Sequence, residues 1–585
     1  MGAGLLAAAW SLVTVLTGGF AWHAGAFSLS SRDPMRPLVV AIAALAGARL
    51  LLRSAEFSRC LAVAIGKPGA RAARVACVAS VSVLVCAIAW NTRAAGGSDS
   101  SCYVLQADAL AHGRLALTDP LSRVLPGATP AMFAPTGFVP SRITPFAAVP
   151  ICGPGLALAM VPARLADRTA VFLVVPLFAA LAVWLTFVLG RRLDDGVTGA
   201  CAALLLASSP IFLYQAVQPM SDVPAVALWL AALVALARGD HRGQIAAGLC
   251  ASAAVLMRPN IALIVLPLVF LLGDGRVYPA EAPEARRRAW LRFGLASLPG
   301  LAVMAWLNAA RYGSPLASGY GSTDVLFSLA HVAPNLARYP RWVVETQTPF
   351  VALALLAPWW ALRHRSRARL ALVSLAAAAL TVTTYLAYTV FDDWWYIRFL
   401  LPALPVVIVL SVAVILPSAS WLPPVGGRSR RGVLAAGLCV ALGAWQLHVA
   451  RTHHVFDLQG LESRFVVTGR YAARALPANA VVLAVQQSGS LRYHGGRETI
   501  AWDGIAPDAL DRTIAWLRAN GYQPFIALED VEEPRFRRRF LSQRLGALDW
   551  PPAVEVNTAV RVRLYDPGTR ERYLGGGPVP TEHVR

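Results

Sequence analysis

The run VACVASVSVLVCAIAWNTRAAGGSDS, residues 75–100, joins an apolar stretch to a polar turn that carries an acid. Residues 75–91 contain no charged side chain, and about 17–25 such residues cross a hydrocarbon core. The turn that follows, Gly96-Gly97-Ser98-Asp99-Ser100, is rich in glycine and serine. A carboxylate at the water-facing end of a membrane helix stays hydrated, so little free energy is needed to keep it ionised. Asp99 can therefore serve either as a base or as the cap of the next helix.

The rest of the chain shares the character of this apolar stretch. Of its 585 residues, 57% are hydrophobic and 15% are charged, and the mean hydropathy is +0.54. A soluble domain could not solvate so apolar a surface, so we expect an α-helical polytopic membrane protein. About 13 transmembrane helices are predicted, at residues 3–25, 37–52, 75–91, 169–189, 197–216, 223–238, 243–257, 260–273, 291–309, 349–362, 369–388, 399–417 and 432–449.

The net charge of +21 is distributed as a topology signal. Arginine and lysine cluster in six loops, such as 53–74 and 276–292, whereas the loop at 218–222 carries no basic residue. Basic loops of membrane proteins stay in the cytoplasm, so this asymmetry predicts a cytoplasmic N-terminus. It also accounts for the positive charge without a nucleic-acid partner.

Residues 144–165 are apolar but broken by proline and glycine. If they crossed the membrane, every later basic loop would lie outside, so we expect them at the outer interface. This assignment puts Asp99 and the C-terminal part outside. The predicted division is an N-terminal pair of spans with a basic cytoplasmic loop (1–74), a helical body (75–450) and a small extracytoplasmic α/β domain (451–585).

The C-terminal part is more charged and shows alternating patterns. Strands are predicted at 480–485 and 524–528, helices at 508–520, capped by Asp508, and at 533–545, and a strand pair at 554–565. This order favours a small α/β domain. Of the eight cysteines, Cys102 and Cys152 fall in one outer loop and could pair, but we expect each to be a free apolar side chain.

Two acids and two arginines stand out in the predicted outer loops. Asp99 and Asp222 each have a structural alternative as a helix cap. Arg258 and Arg398 suit a lipid phosphate at headgroup depth. Their alternatives are snorkelling for Arg258 and pairing with Asp392 or Asp393 for Arg398.

The order of these features resembles the GT-C membrane glycosyltransferases. That superfamily includes the lipid A aminoarabinose transferases, the protein O-mannosyltransferases and bacterial polyprenyl- or dolichyl-phosphate-sugar transferases. The pieces that carry the resemblance, within residues of roughly 75–450, are GSDS (97–100) with YVLQADALAHG (103–113), the broken segment 144–165, QPMSDVP (218–224), MRPN (257–260), RYGSP (311–315) with Gly319-Tyr320, and WYIRFLLP (395–402).

The sequence departs from this superfamily in three places. A pair of spans precedes the Asp99 helix, and serine follows Asp99 where several branches have a second acid. The absence of a Trp-Trp-Asp-Tyr-Gly stretch counts against an oligosaccharyltransferase.

The resemblance implies an inverting glycosyltransferase in the bacterial inner membrane. The donor would be a sugar on polyprenyl phosphate, and the acceptor a lipid, glycan or protein on the outer face. Asp99 would act as general base with Asp222 as a second acid of the site, while Arg258 and Arg398 would hold the donor phosphate.

Other parts of the site are left open. Trp395 and Tyr396 suit either an interfacial aromatic belt or a sugar platform, and with Tyr320 they are the predicted substrate contacts. A divalent metal is possible at the two acids, although no third ligand is identifiable and no cofactor is firmly expected.

The main alternative is a transporter or flippase, which would place ionisable residues inside spans and often show inverted repeats. Neither feature is evident in the sequence. A non-catalytic scaffold that binds a partner through residues 451–585 is the third possibility.

Overall fold

The computed structural model describes residues 68–273, 283–321, 323–416 and 430–584, with residues 10, 14, 20–24, 27–31 and 40. The predicted span 37–52 and the basic residues at 53–67 lie almost entirely outside the described residues. The predicted span 3–25 is wrong at its end, because Phe20–Ala24 (β1) pairs with Phe27–Ser31 (β2) in an antiparallel hairpin.

The body of the chain is a bundle of helices. Its α-helices are α1 (Pro68–Ala89), α2 (Gly97–Ala111), α3 (Pro154–Ala166), α4 (Val174–Leu193), α5 (Gly196–Ala207), α6 (Pro210–Ala216), α7 (Asp222–Leu236), α8 (His241–Met257), α9 (Ile261–Val265), α10 (Pro283–Tyr312), α11 (Thr323–Leu326), α12 (Val332–Gln347), α13 (Ala357–Arg363), α14 (Ala368–Leu386), α15 (Leu404–Ile415) and α16 (Arg430–Thr452). Short 3₁₀ turns precede α4, α13 and α15 and follow α9, at Ala170–Leu173, Pro349–Leu356, Trp394–Leu400 and Leu266–Gly273.

Several of these helices are long and apolar enough to cross a membrane. Five pass by length and composition within the described residues, and seven if each of two bent pairs counts as one span. The bent pairs are α5 with α6, at 64°, and the turn Trp394–Leu400 with α15, at 81°. The apolar runs at 223–238, 260–273 and 349–362 are helical but shorter. The pattern of a multi-pass helical protein is therefore present, whereas the number 13 remains a prediction.

Between α2 and α3 the chain forms a small three-stranded sheet. Its strands are β3 (Leu117–Thr118), β4 (Phe138–Pro140) and β5 (Ala147–Pro150), with β5 in the centre. The segment 144–165 thus contains a strand followed by most of the short helix α3. It is broken, as its prolines and glycines predict, and it does not form one continuous helix.

Residues 455–584 contain a second sheet. Its elements are α17 (Leu458–Ala475), β6 (Ala480–Leu483), α18 (Ser488–Tyr493), β7 (Glu498–Ile500), α19 (Leu510–Ala519), β8 (Gln523–Glu529), α20 (Glu533–Arg539), β9 (Val554–Val556), β10 (Val562–Tyr565), α21 (Arg570–Leu574) and β11 (Glu582–Val584). The strand order is β11-β9-β10-β8-β6-β7, with β6 parallel to both of its neighbours and β10 antiparallel to β8 and β9.

The sequence located the main strands of this sheet and misjudged two helix ends. Strand β8 and the hairpin β9–β10 lie where they were predicted. Asp508 does not cap α19, which starts at Leu510 after Ala509. The helix predicted over 533–545 stops at Arg539 because Phe540 leaves the helical conformation.

Alternate residues of β6 and β8 point to opposite faces of the sheet, as strand geometry requires. Val481 and Leu528 share a buried cluster with α19 and with Leu121 and Phe133 from the segment between β3 and β4. Val482 shares the cluster of the other face with Ala472 and Leu476, which belong to or follow α17. The C-terminal sheet is therefore packed directly against the loop that follows α2.

Candidate functional site

Asp99 lies in the first turn of α2 and is not its cap. The helix starts at Gly97, and its N-cap Gly96 offers no side chain to the free N–H groups. The Asp99 side chain is 31% exposed, and its Oδ2 accepts a hydrogen bond from Arg398 Nη2 at 2.8 Å. The capping alternative for Asp99 is therefore wrong. The carboxylate is directed towards the guanidinium of Arg398, a residue 299 positions later in the sequence.

Close backbone packing sets the start of α2. A Cβ atom at Gly96 would clash with the ring of Phe465 in α17. Gly137, with φ of +90°, lies against the carbonyl of Ser98 and leaves no room for a side chain. Both glycines are thus required by tertiary contacts, and together they fix the turn that carries Asp99.

Arg398 comes from the 3₁₀ turn Trp394–Leu400. Its guanidinium carbon lies 5.6 Å from the centre of the Tyr396 ring and 5.2 Å from that of Phe399. Its Nε is buried without a hydrogen-bond partner among the described residues. The alternative that Arg398 pairs with Asp392 or Asp393 is wrong, because Arg398 pairs with Asp99 at 2.8 Å, and Asp392 binds Arg338 at 2.7 Å.

Asp222 and Arg258 form a second ion pair. Asp222 is the first residue of α7, after an N-cap Ser221 whose side chain makes no capping bond. Arg258 follows α8 as its C-cap residue. The Asp222 side chain is only 2% exposed and that of Arg258 is 18% exposed. Asp222 is thus not a helix cap, and Arg258 turns inward to a carboxylate where snorkelling would turn it outward.

The two ion pairs meet at one aromatic ring. The Arg258 guanidinium carbon lies 5.6 Å from the centre of Phe399, the ring that Arg398 also covers. Tyr103 of α2 shares a hydrogen bond of 2.6 Å with Ser221, the residue before Asp222. All four polar residues selected from the sequence therefore lie at one end of the helical body.

Sequence reasoning missed the residues that connect this group. Phe399 adjoins Arg398 in the sequence. Tyr103 lies four residues after Asp99, so helical spacing places Asp99 and Tyr103 on one face of α2. Asn260 donates through its side-chain amide to the phenol oxygen of Tyr385 in α14. The helical period could have pointed to Tyr103, whereas the contact of Tyr385 depends on the tertiary fold.

The predicted substrate contacts lie beside the Asp99–Arg398 pair. Trp395 stacks on Tyr214, with ring centres 6.1 Å apart, and Tyr396 stacks on Phe391 at 3.8 Å. Tyr320 lies in the loop after α10, is 45% exposed and interacts electrostatically with Asp99. These rings line the same end of the bundle as the four charged residues.

A disulfide anchors α2. Cys102 is bonded to Cys152, which lies between β5 and α3. The expectation that both are free thiols is therefore wrong. The sequence offered two cysteines in one loop, but it gave no measure of their separation in space, and this decides whether two cysteines pair.

The C-terminal part supports the segment before α2. The backbone N–H of Ala95 donates to Nε2 of His494 at 3.2 Å, and Gln459 donates to the carbonyl of Asn91 at 2.9 Å. Burial, together with the positive charges of Arg470 and Arg168, lowers the pKa of His494 to about 4. The imidazole is therefore neutral at physiological pH and keeps a ring nitrogen free to accept this bond.

The donor set does not favour a metal at the two acids. Within the described ranges, no group of three His, Cys, Asp or Glu side chains is arranged to hold a metal ion. Each of the two carboxylates is bound by a guanidinium group, so a cation would have to displace an arginine. No chemical step is assigned to a metal here.

Comparison with known proteins gives one family match and several similar structures. Residues 159–306 match the family described as dolichyl-phosphate-mannose-protein mannosyltransferase. ArnT from Cupriavidus metallidurans, bound to undecaprenyl phosphate, is similar at 12% identity, with 84% of this chain and 98% of that chain covered and a TM-score of 0.48. The Archaeoglobus fulgidus oligosaccharyltransferase tethered with an acceptor peptide is similar at 12% identity, with 80% and 70% covered and a TM-score of 0.47. No curated protein matches the sequence.

The matched family segment contains Asp222 and Arg258, and it lies between the positions of Asp99 and Arg398. It runs from within α3 to within α10, and so it includes α7 and α8, the helices that carry the buried ion pair. Over residues 159–306 this chain is similar to the dolichyl-phosphate-mannose-protein mannosyltransferases, which confirms the resemblance to GT-C membrane glycosyltransferases expected from the sequence.

Proposed function

We propose that this protein is an inverting glycosyltransferase that moves a sugar from a polyprenyl-phosphate donor to an acceptor at the membrane surface. The observation that carries the proposal is the convergence of Asp99, Asp222, Arg258 and Arg398 around the ring of Phe399 and beside the half-buried ring of Tyr396. An exposed acid can take a proton, and arginines at the same place can hold a phosphate. These are the two functions that such a transfer needs.

Asp99 is the better candidate for the base because water and substrates can reach it. Its side chain is 31% exposed, against 2% for Asp222. The Asp222 carboxylate is bound to Arg258 in a buried pair and would have to leave its partner uncompensated in order to act. We assign Asp222 the role of orienting Arg258 towards the donor.

Arg398 has capacity for a further acceptor. One of its nitrogens binds Asp99, and its buried Nε lacks a hydrogen-bond partner among the described residues. A donor phosphate could bind this guanidinium bidentately, which would draw it away from Asp99. Donor binding would thus free the carboxylate at the moment when a base is needed.

The reaction then follows from these positions. An acceptor hydroxyl or amine attacks the anomeric carbon and gives its proton to Asp99. The bond between that carbon and the phosphate oxygen breaks, and its electron pair stays on the leaving polyprenyl phosphate. Arg258 and Arg398 stabilise the charge gained by that phosphate. A single displacement of this kind inverts the anomeric centre.

The aromatic rings would bind the sugar or the acceptor. Trp395 and Tyr396 are held by stacking on Tyr214 and Phe391, so they present rigid faces. Tyr320 would contribute from the loop after α10. An interfacial belt remains the alternative role for Trp395 and Tyr396.

The proposed topology follows the distribution of positive charge. The N-terminus and the basic loops would lie in the cytoplasm of a bacterial cell, with 13 crossings of the inner membrane. The site and residues 451–585 would then face outward, where a lipid, glycan or protein acceptor arrives. The division into 1–74, 75–450 and 451–585 belongs to this proposal, with the last part supporting the Asp99 segment.

The test is transfer from a labelled polyprenyl-phosphate sugar by purified protein carrying Asp99→Asn. Loss of the base should lower the rate by about 10²–10⁴-fold while donor binding persists. Asp108→Asn is the matched control, because Asp108 lies in the same helix and pairs with Arg164 at 2.6 Å. Unchanged transfer by Asp99→Asn would refute the assignment of the base. Absence of transfer from every lipid-linked donor by the wild-type protein would refute the enzyme itself and favour the transporter.

A further inference from the structure

The opposite end of the bundle carries a second cluster of arginines. Helix α7 begins at Asp222 in the site and ends just before Arg238. Helix α8 runs the other way, from its N-cap Asp240 to Arg258 in the site. At 1.5 Å per residue, a helix of this length separates its two ends by about 22 Å. The arginines at this end therefore belong to a different region from the candidate active site.

A cavity of about 530 Å³ lies among these arginines. Arg192, Arg238 and Arg367 line it, each from the end of a different helix, and Asp240 is the acid among its lining residues. Arg238 binds Asp240 at 3.0 Å. Asp194, although not a lining residue, lies 3.6 Å from Arg367. Three arginines therefore face two carboxylates, and the positive charge that remains can be compensated by an anion.

The arginines are held in place by backbone carbonyls at helix ends. Arg192 donates to the carbonyl of Val234 near the end of α7. Arg367 donates to the carbonyl of Leu193 at 3.2 Å, at the end of α4. A guanidinium group has five N–H donors, and these contacts use only part of them. The remaining donors are fixed near the cavity by groups that a ligand would not displace.

An apolar groove continues from this cavity. A second cavity of about 670 Å³ is lined mostly by apolar residues such as Phe270, Trp290 and Leu372, together with Arg286 and Arg369. Leu271 and Leu370 line the first cavity, and their sequence neighbours Phe270 and Arg369 line the second, so both cavities lie against the same two segments of the chain. Phe270 is 72% exposed and Trp290 is 50% exposed. A charged cavity beside an exposed apolar groove has the shape of a phospholipid, with a headgroup at one end and a chain at the other.

We propose that this cavity and groove bind an anionic phospholipid. Its phosphate lies among Arg192, Arg238 and Arg367, and an acyl chain covers Phe270 and Leu372. Charge complementarity selects an anionic headgroup, as in basic pockets between membrane helices. A soluble phosphate would contact the arginines alone, whereas a phospholipid also contacts the apolar groove beside them, and this favours the lipid. This site is independent of the proposed sugar transfer.

The experiment measures the lipid that the full-length protein retains. Purified protein is incubated with mixed micelles of phosphatidylglycerol or phosphatidylcholine, washed, and analysed for bound lipid by native mass spectrometry. We expect the wild-type protein to retain phosphatidylglycerol at least fivefold over phosphatidylcholine. The double substitution Arg192→Gln/Arg238→Gln, which removes two of the three arginines of the phosphate site, should abolish most of this preference.

The matched control is Arg191→Gln/Arg242→Gln, which removes the same charge from the end of α4 and the start of α8, outside the cavity linings. It should retain the wild-type preference, and equal loss in both double variants would overturn the site. A wild-type protein without preference for the anionic lipid would overturn it too, even if a variant failed to fold. If glycerol phosphate raised the melting temperature as much as phosphatidylglycerol did, the site would be one for a soluble anion and the lipid assignment would be wrong.

Discussion

The two ion pairs of the candidate site use the same chemical groups in different surroundings. Asp222 and Arg258 are 2% and 18% exposed and lie at the ends of adjacent helices. Asp99 and Arg398 are 31% and 16% exposed and come from segments 299 residues apart. A buried pair cannot separate without a large desolvation cost, whereas a partly exposed pair can exchange partners. From this difference we infer that the Asp222–Arg258 pair holds the site together, whereas the Asp99–Arg398 pair takes part in the proposed reaction.

Breaking the buried pair should produce the largest effect on stability. Arg258→Gln leaves Asp222, which is 2% exposed, buried without a countercharge, and this costs about 3–5 kcal/mol. Arg398→Gln should cost about 1 kcal/mol or less, because it leaves Asp99, which is 31% exposed and reached by water. Thermal unfolding of the full chain in detergent would measure both. The double variant Asp222→Leu/Arg258→Met should recover much of the loss, and equal costs for the two glutamine variants would contradict the comparison.

The disulfide is a second difference between the helix that carries Asp99 and the helices that carry the buried ion pair. Cys102–Cys152 anchors α2, the helix of the exposed acid, across 50 residues of sequence. Replacing both cysteines by serine should lower stability by about 3 kcal/mol, because the unfolded chain gains freedom. The matched control is Cys77→Ser/Cys250→Ser, which removes two cysteines outside the disulfide. An unchanged melting temperature in the first variant would show that the loop is held by packing alone.

Arg398 should govern donor binding more than folding. Arg398→Gln removes charge-assisted bonds to a phosphate and should weaken donor affinity by about 10–100-fold. Arg338→Gln is the control, because Arg338 is a nearby arginine that binds Asp392. Titration with the lipid-linked donor measures both variants. If both lost the same affinity, the effect would be one of general charge and not of a phosphate site.

The sequence predicted the four charged residues because the signals for them are local. Charges are few in the predicted outer loops, and each of the four adjoins an apolar run. Their pairing could not be predicted, since Asp99 and Arg398 are brought together only by the tertiary fold. The start of α2 was also missed, because a helix that begins at Gly97 contradicts local propensity. Packing of Phe465 and Gly137 against this turn overrides that propensity.

Glu532 offers the finest test, because it is a buried acid held by backbone N–H groups. It is 3% exposed and accepts hydrogen bonds from the backbone of Gln486 and Glu529. Burial raises its pKa from 4.5 to about 7, with a further contribution from the charges of Glu529 and Asp503. Between these two values the folded chain keeps a proton that the unfolded chain releases. Stability should therefore fall as pH rises from 4.5 to 7.

Glu532→Gln should remove this part of the pH dependence, which amounts to about 3 kcal/mol. The readout is the change in unfolding free energy between pH 4.5 and 8, because the amide also alters a hydrogen bond at every pH. The exposed Glu571 provides a control in Glu571→Gln, which should leave the slope as it is in the wild-type protein. An unchanged slope in Glu532→Gln would mean that Glu532 is ionised when buried, and that burial alone does not keep the proton on this carboxyl group.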